Sequence, residues 1–214
     1  MLNLTVLIGS CDEYSFLWEN FDVLFKKYWK LHTKNIIVSE TKKFDNDDYI
    51  TVTPGKKPWG YRILESLNEV NTEYVFFILD DYYLTENFDQ KLIDEHIKIM
   101  EDYNAVKIMM DIDYKEPIYS LEKLTGNLHK FKNHSEYLNS VQPSIWRVDY
   151  LKKVLKSEYS PWDFETYGNV FTKKLNPLIL INVRENHMYF NFLRKGCIKA
   201  DGWENVFKQE KLKY

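Results

Sequence analysis

The stretch Tyr74-Val75-Phe76-Phe77-Ile78-Leu79-Asp80-Asp81-Tyr82-Tyr83 constrains this chain more than any other. Its first six residues are apolar or aromatic, and two adjacent carboxylates follow. The run is too short for an ordinary helix and is rich in β-branched and aromatic residues. It predicts a buried strand, central and parallel. Asp80 and Asp81 then stand at its C-terminal end, the edge of an open α/β sheet where ligands bind. Neighbouring carboxylates repel unless something neutralises them, and a divalent cation carrying a phosphate does so. The competing account is a solvated turn that begins with Asp-Asp.

The flanking sequence alternates as a parallel sheet requires. Residues 4–8 read as a first strand, and Gly9-Ser10-Cys11-Asp12-Glu13 as a turn into a helix. Phe16, Leu17, Phe21, Leu24, Phe25, Tyr28 and Leu31 recur at helical spacing, with Asp12 or Ser15 available as a cap. Residues 35–38 and 49–53 read as strands. The Pro-Gly-Lys-Lys-Pro breaker at 54–58 precedes a helix over 59–70. After the acidic pair, residues 87–103 read as a helix with Leu92, Ile93, His96, Ile97 and Met100 on its apolar stripe, His96 being a packed histidine. Residues 105–110 form a strand ending in Asp111-Ile112-Asp113, a second acidic pair that competes for any metal role. Residues 119–121 and 128–131 are short strands about the turn Thr125-Gly126-Asn127. His129 and His134 have no partner at metal-ligand spacing. Residues 141–147 read as a strand and 148–155 as a short helix. Ser160, Pro161 and Asp163 then spell a helix start, with Asp163 as the capping-box partner. Residues 178–183 are the last clear strand.

Composition narrows the class. A length of 214 residues suits one domain, and 44% hydrophobic with 29% charged residues is ordinary globular composition. A net charge of −3 gives no reason to expect a nucleic-acid partner. Cys11 and Cys197 are too few for a disulfide framework, which points to a reducing cytoplasm. No apolar run is long enough to span a bilayer, and the N-terminus reads as a strand and not as a leader.

The order of these motifs resembles nucleotide-sugar-dependent glycosyltransferases with a GT-A-type fold, of the kind that build bacterial surface polysaccharides. Three features carry the resemblance: the strand–helix–strand unit leading to Asp80-Asp81; the segment Gln142-Pro143-Ser144-Ile145-Trp146-Arg147 followed by Trp162-Asp163-Phe164-Glu165; and Asn186-His187-Met188-Tyr189 after the last strand. The acidic motif departs from the usual spacing, with Leu79 where Glu-Asp-Asp variants carry their first acid. The resemblance implies a Rossmann-like α/β domain over 1–214, its mixed, mostly parallel central sheet flanked by helices. Residues 1–104 would bind the nucleotide sugar and 105–214 serve the acceptor. It further implies transfer, with inversion, from a nucleotide-diphosphate sugar to a glycan or lipid-linked saccharide, with Mn²⁺ or Mg²⁺ as cofactor. Asp81 and His187 are then the expected metal contacts, and Asp80 orients the ribose or completes the metal shell. Cys11, Asp12 and Glu40 end the first two strands and are candidates for the nucleotide base. Arg62 and Arg194 are candidates for phosphate. The catalytic base is Asp163 or Glu165, which leave their helix about 200° apart; Asp163 aligns better with the family's acid. Trp146 and Trp162 would shape the acceptor site. The tail, with Trp203, Phe207, Lys208, Lys211 and Lys213, is a candidate for peripheral contact with an anionic membrane. A nucleotidyltransferase is the rival enzyme, but its usual Gly-rich basic loop is missing, because residues 9–13 hold one Gly and no Lys or Arg. A degenerate binding module that keeps nucleotide or glycan binding is the other rival.

Overall fold

A computed structural model describes residues 3–111, 119–184, 187–194, 197–198 and 212. The strands are β1 (Leu4–Gly9), β2 (Lys34–Val38), β3 (Ile50–Val52), β4 (Tyr74–Leu79), β5 (Tyr82–Leu84), β6 (Lys107–Met109), β7 (Leu121–Thr125), β8 (Leu128–Phe131), β9 (Ser144–Arg147), β10 (Ile179–Asn182) and β11 (Tyr189–Asn191). The helices are α1 (Trp18–Tyr28), α2 (Trp59–Ser66), α3 (Gln90–Asp102), α4 (Val148–Val154) and α5 (Pro161–Leu175). A 3-10 helix, Asp12–Leu17, leads into α1.

Nine strands form one sheet in the order β3-β2-β1-β4-β9-β6-β10-β8-β7. β3, β2, β1 and β4 run parallel, and so do β6 and β10. Within this sheet only β9 and β8 run against the rest. The fold is therefore the expected α/β architecture, a mostly parallel central sheet with helices on its faces. β4 is central, as the sequence predicted, but it is parallel only to β1; its other neighbour, β9, is antiparallel.

Both faces are covered. Phe21, Leu24, Phe25 and Trp29 pack with Phe76 and Phe88 on one side. Trp59, Ile63, Leu151, Val154 and Phe164 pack with Phe77 and Trp146 on the other. Covering both faces is why β4 can be apolar at every position. Gly60 marks a close approach: a Cβ there would lie 2.0 Å from the Lys156 carbonyl oxygen. Its N–H donates to Tyr159 O at 2.8 Å, so α2 and the loop before α5 lie backbone to backbone.

The helix starting at Ser160 has the predicted cap. Ser160 Oγ accepts from Asp163 N at 3.1 Å, and Asp163 accepts from Ser160 N at 3.0 Å. The helix near residue 16 departs from expectation. Its first turn is 3-10, and neither Asp12 nor Ser15 caps α1.

Candidate active site

The site begins with the register of β1 and β4. Gly9 pairs with Leu79, so Ser10 and Asp80 emerge together at the C-terminal edge of the sheet. The strands meet closely there; a Cβ on Gly9 would lie 2.9 Å from Leu79 Cδ2. A cavity of about 230 Å³ opens at this edge. Its walls come from the β1 turn (Cys11, Tyr14), from α2 (Trp59, Arg62), from Asp80 and Asp81, and from Pro161 at the start of α5.

Most polar groups around it satisfy one another. Asp80 is buried and accepts from Ser10 Oγ, and Trp18 Nε1–H is shared between Ser10 Oγ at 2.7 Å and Asp80 at 3.2 Å. Burial pushes the Asp80 carboxyl well above the usual range, against the pull of Ser10. Arg62, also buried, donates to Ser10 O at 2.8 Å and Lys57 O at 3.2 Å and pairs with Glu40 at 2.9 Å. Glu40 in turn accepts from Asp12 N. The Asp12 carboxylate takes the N–H groups of Glu40 at 3.1 Å, Thr41 at 2.9 Å and Lys42 at 2.9 Å, and the Thr41 hydroxyl at 2.6 Å. Burial works against its charge, but the Thr41 hydroxyl and these N–H groups outweigh it and hold the carboxyl well below the usual range. The five candidates for the donor, Cys11, Asp12, Glu40, Arg62 and Asp80, thus belong to one region. Asp12 and Glu40 are turned largely toward the fold itself. The Cys11 thiol lines the cavity, half buried, and burial pushes its pKa up.

Asp81 is different. Its Oδ1 is shut off from solvent and has no hydrogen-bond partner. Burial, with a smaller push from the Glu165 charge, raises its carboxyl to about 7. An orphaned buried carboxylate oxygen fits a cation held between protein and diphosphate, since Mg²⁺ is bound through one or two carboxylates plus substrate phosphates. Among the described residues, no group of three or more His, Cys, Asp or Glu side chains is gathered to chelate a metal by itself.

The two base candidates separate cleanly. Asp163 is engaged at its own helix start, with Ser160 Oγ donating to it at 2.7 Å. That bond and the Ser160 N–H keep its pKa low. Glu165 turns inward and accepts from Val141 N at 2.8 Å. Burial raises its pKa, and the Val141 N–H and the Lys107 charge pull it down. Glu165, and not Asp163, is the acid that acts on Asp81.

His187 lies elsewhere. β5 and β11 form a separate ribbon that pairs Asn191 with Tyr82 and Tyr189 with Leu84. Phe192 N donates to Asp81 O at 2.7 Å, whereas the His187 carbonyl accepts from Thr85 Oγ1 at 2.9 Å. At strand rise, four residues put roughly 13 Å between those two ends of the ribbon. His187 Nδ1 instead meets Asp111 Oδ2 at 2.9 Å, and Met188 N meets the same oxygen at 3.2 Å. Asp111, the sequence's second acid, is thus a partner of His187; Asp113 lies outside the described residues. So do the Arg194 side chain and, apart from Leu212, the tail.

Trp146 is fully buried under α5, while Trp162 is 63% exposed and tilts against Tyr137. Sequence reasoning missed Ser10, Trp18 and Lys107. For Lys107 the signal was present: a lysine inside an otherwise apolar predicted strand.

No family model matches the sequence, and no curated protein matches it. Solved structures do. S. aureus TarS 1–349 in complex with UDP-GlcNAc is similar at 12% identity with a TM-score of 0.59, over 97% of this chain and 64% of that one. A UDP-glucose pyrophosphorylase complexed with UDP-glucose is similar at 12% identity and TM-score 0.55, over 89% of this chain and 93% of that one. A CMP:2-keto-3-deoxy-manno-octonic acid synthetase complexed with CTP follows at 9% identity and TM-score 0.50, over 85% and 89%. The chain spans between 37% and 64% of the length of the TarS chains. At such identities the likeness is one of fold: all share the layered α/β sheet described above.

Proposed function

We propose that this protein is a nucleotide-sugar-dependent glycosyltransferase. The observation that carries the reading is the buried, unbonded Asp81 oxygen beside a cavity at the C-terminal edge of β1 and β4. Supporting it are structural neighbours with UDP-GlcNAc and UDP-glucose bound, and a first turn without the basic Gly-rich loop of nucleotidyltransferases.

In this reading the nucleoside lies along Gly9–Tyr14 and Trp59, and the sugar extends toward Asp81 and α5. Asp80, with Ser10 and Trp18, stiffens the floor. Asp81 would hold Mn²⁺ or Mg²⁺, which supplies positive charge for the leaving diphosphate. Glu165 accepts the proton of an acceptor hydroxyl as that oxygen attacks the anomeric carbon and the bond to the diphosphate breaks. Asp163 keeps α5 anchored at Ser160. His187, paired with Asp111 at the other end of the β5–β11 ribbon, is not a metal contact in this reading. The acceptor, a glycan or lipid-linked saccharide, approaches past Trp162. Among the described residues no helix is long and apolar enough to cross a membrane.

The test is isothermal titration of nucleoside diphosphates with and without Mn²⁺, on wild type and Asp81→Ala. A metal-dependent gain that the variant loses supports the reading; a gain that survives in the variant refutes the role of Asp81. One observation favours a nucleotidyltransferase as the second reading: the pyrophosphorylase matches over nearly all of its own length, whereas TarS does not. Products separate the two. Glycosyl transfer releases a nucleoside diphosphate from the sugar donor. Nucleotidyl transfer releases pyrophosphate from a nucleoside triphosphate and a sugar phosphate.

A further inference from the structure

Lys107 is the least expected group in the fold. It lies in β6, flanked by β9 and β10, and is fully buried. Lysine is almost never fully buried unless its charge is met. Its Nζ donates to the carbonyls of Leu138 at 3.1 Å and Ser140 at 2.8 Å, and lies 4.2 Å from the centroid of the Trp146 ring. The next residue of that loop, Val141, donates its N–H to Glu165 at 2.8 Å. Lysine and glutamate therefore grip one buried loop, the lysine by its carbonyls and the glutamate by an amide.

Their charges also act on each other. Burial draws Lys107 well below the ordinary lysine range and Glu165 draws it back. Burial raises Glu165, and the Val141 N–H and then Lys107 lower it. Three elements bring charge or polarity to Glu165: Asp81 from the end of β4, Lys107 from β6, and Ser140 with Val141 N–H from the loop. Of these, Lys107 is the cation. A methionine would fill the same space without desolvating a charge, so what the lysine adds is its ammonium.

We propose that Lys107 is a positioning residue for Glu165: it fixes the 138–141 loop on which that carboxylate rests and sets a positive charge behind it. Glu165 is thereby kept in one place, and the ammonium works against the burial that raises its pKa. The kinetic consequence rests on the reading of Glu165 as the base; the pairing of the two residues does not.

The experiment uses the full chain with Lys107→Met, Glu165→Gln and the double variant. First, urea midpoints are measured for all four proteins. Lys107→Met is expected to lower the midpoint clearly in the wild-type background and much less in the Glu165→Gln background. Equal lowering in both overturns the pairing. Should Lys107→Met fail to fold alone, a folded double variant supports the pairing and an unfolded one overturns it. Second, donor turnover is followed against pH. Lys107→Met is expected to lose about tenfold in kcat near neutral pH, with donor KM within about twofold and the acid limb displaced upward by about one pH unit. A loss that is the same at every pH, or that falls on KM, overturns the positioning role. If wild type turns over no donor, the proposed reaction fails, and the urea midpoints alone decide the pairing.

Discussion

Replacing Asp81 by Asn should stabilise the protein, and the gain should depend on pH. The Asp81 carboxyl titrates at about 7 in the folded chain, against an ordinary 3.8. Below about pH 4 both the folded and the unfolded states hold the proton, and the group contributes nothing. As pH rises toward 7 the unfolded chain releases its proton while the folded chain keeps it, so folding is increasingly penalised. Above pH 7 both states are ionised and the penalty is constant. The separation between 3.8 and about 7, at 1.36 kcal/mol per pH unit, amounts to about 4 kcal/mol. The Asp81→Asn amide keeps the shape without the charge, so the variant should match wild type near pH 4 and exceed it by up to that amount near pH 8. Urea unfolding of both proteins at about pH 5 and about pH 8, with a chelator present, reads the difference directly. A variant no more stable than wild type near pH 8, or a gain of equal size at both pH values, refutes the account of Asp81 as a carboxylate strained by burial.

Other outcomes follow from the same contacts. Gly60→Ala forces a methyl group against the Lys156 carbonyl and should cost about 1–3 kcal/mol, read as a lower urea midpoint; an unchanged midpoint refutes the backbone contact. Asp12→Ala releases the 40–42 turn and, through Glu40, the grip on Arg62. Nucleotide affinity by titration calorimetry should fall by about tenfold, the worth of one hydrogen bond to a charged group. Glu165→Gln should cost donor turnover at least about 100-fold with nucleotide affinity kept. Asp163→Asn should lower the urea midpoint through α5 and leave turnover within a few-fold of wild type; the reverse pattern makes Asp163 the base.

The sheet edge was legible because its signals are local. An apolar run ending in two acids, a small-residue turn after the first strand and Ser160-Pro161-x-Asp163 each encode their own geometry within a few residues. What was illegible depends on partners far apart in the chain. Asp12 reads as a helix cap or a nucleotide ligand, yet its carboxylate is taken by backbone about thirty residues on. The sequence places no element between the acidic pair and residue 87, yet Tyr82–Leu84 is a strand of its own, because its partner, residues 189–191, comes much later. His187 and Asp111 were each placed in a site by position, and they form a pair with each other. Asp163 and Glu165 differ in the sequence only by two steps along a helix. Which of them turns inward is decided by where the 138–141 loop lies.

The arrangement of charge makes one demand on any diphosphate that enters the cavity. Among the described residues lining it, the cation is Arg62, and that guanidinium is committed to Glu40, Ser10 and Lys57. Lys107 is inside the sheet, behind Glu165. The carboxylates outnumber the cations: Glu13, Asp80 and Asp81 line the same cavity. Among the described residues a diphosphate placed against Asp81 would meet no free cation, so positive charge is expected to arrive with the ligand. Nucleoside diphosphate affinity should therefore rise with Mn²⁺ or Mg²⁺ by at least about tenfold, the 1.4 kcal/mol that even one weak charge-assisted contact supplies. The rise should vanish in Asp81→Asn, whose amide neither repels the diphosphate nor holds the ion. Wild-type binding that is equally tight in a chelator would mean that a cation of the chain itself reaches the phosphates, and Asp81 would lose its assigned part in holding them.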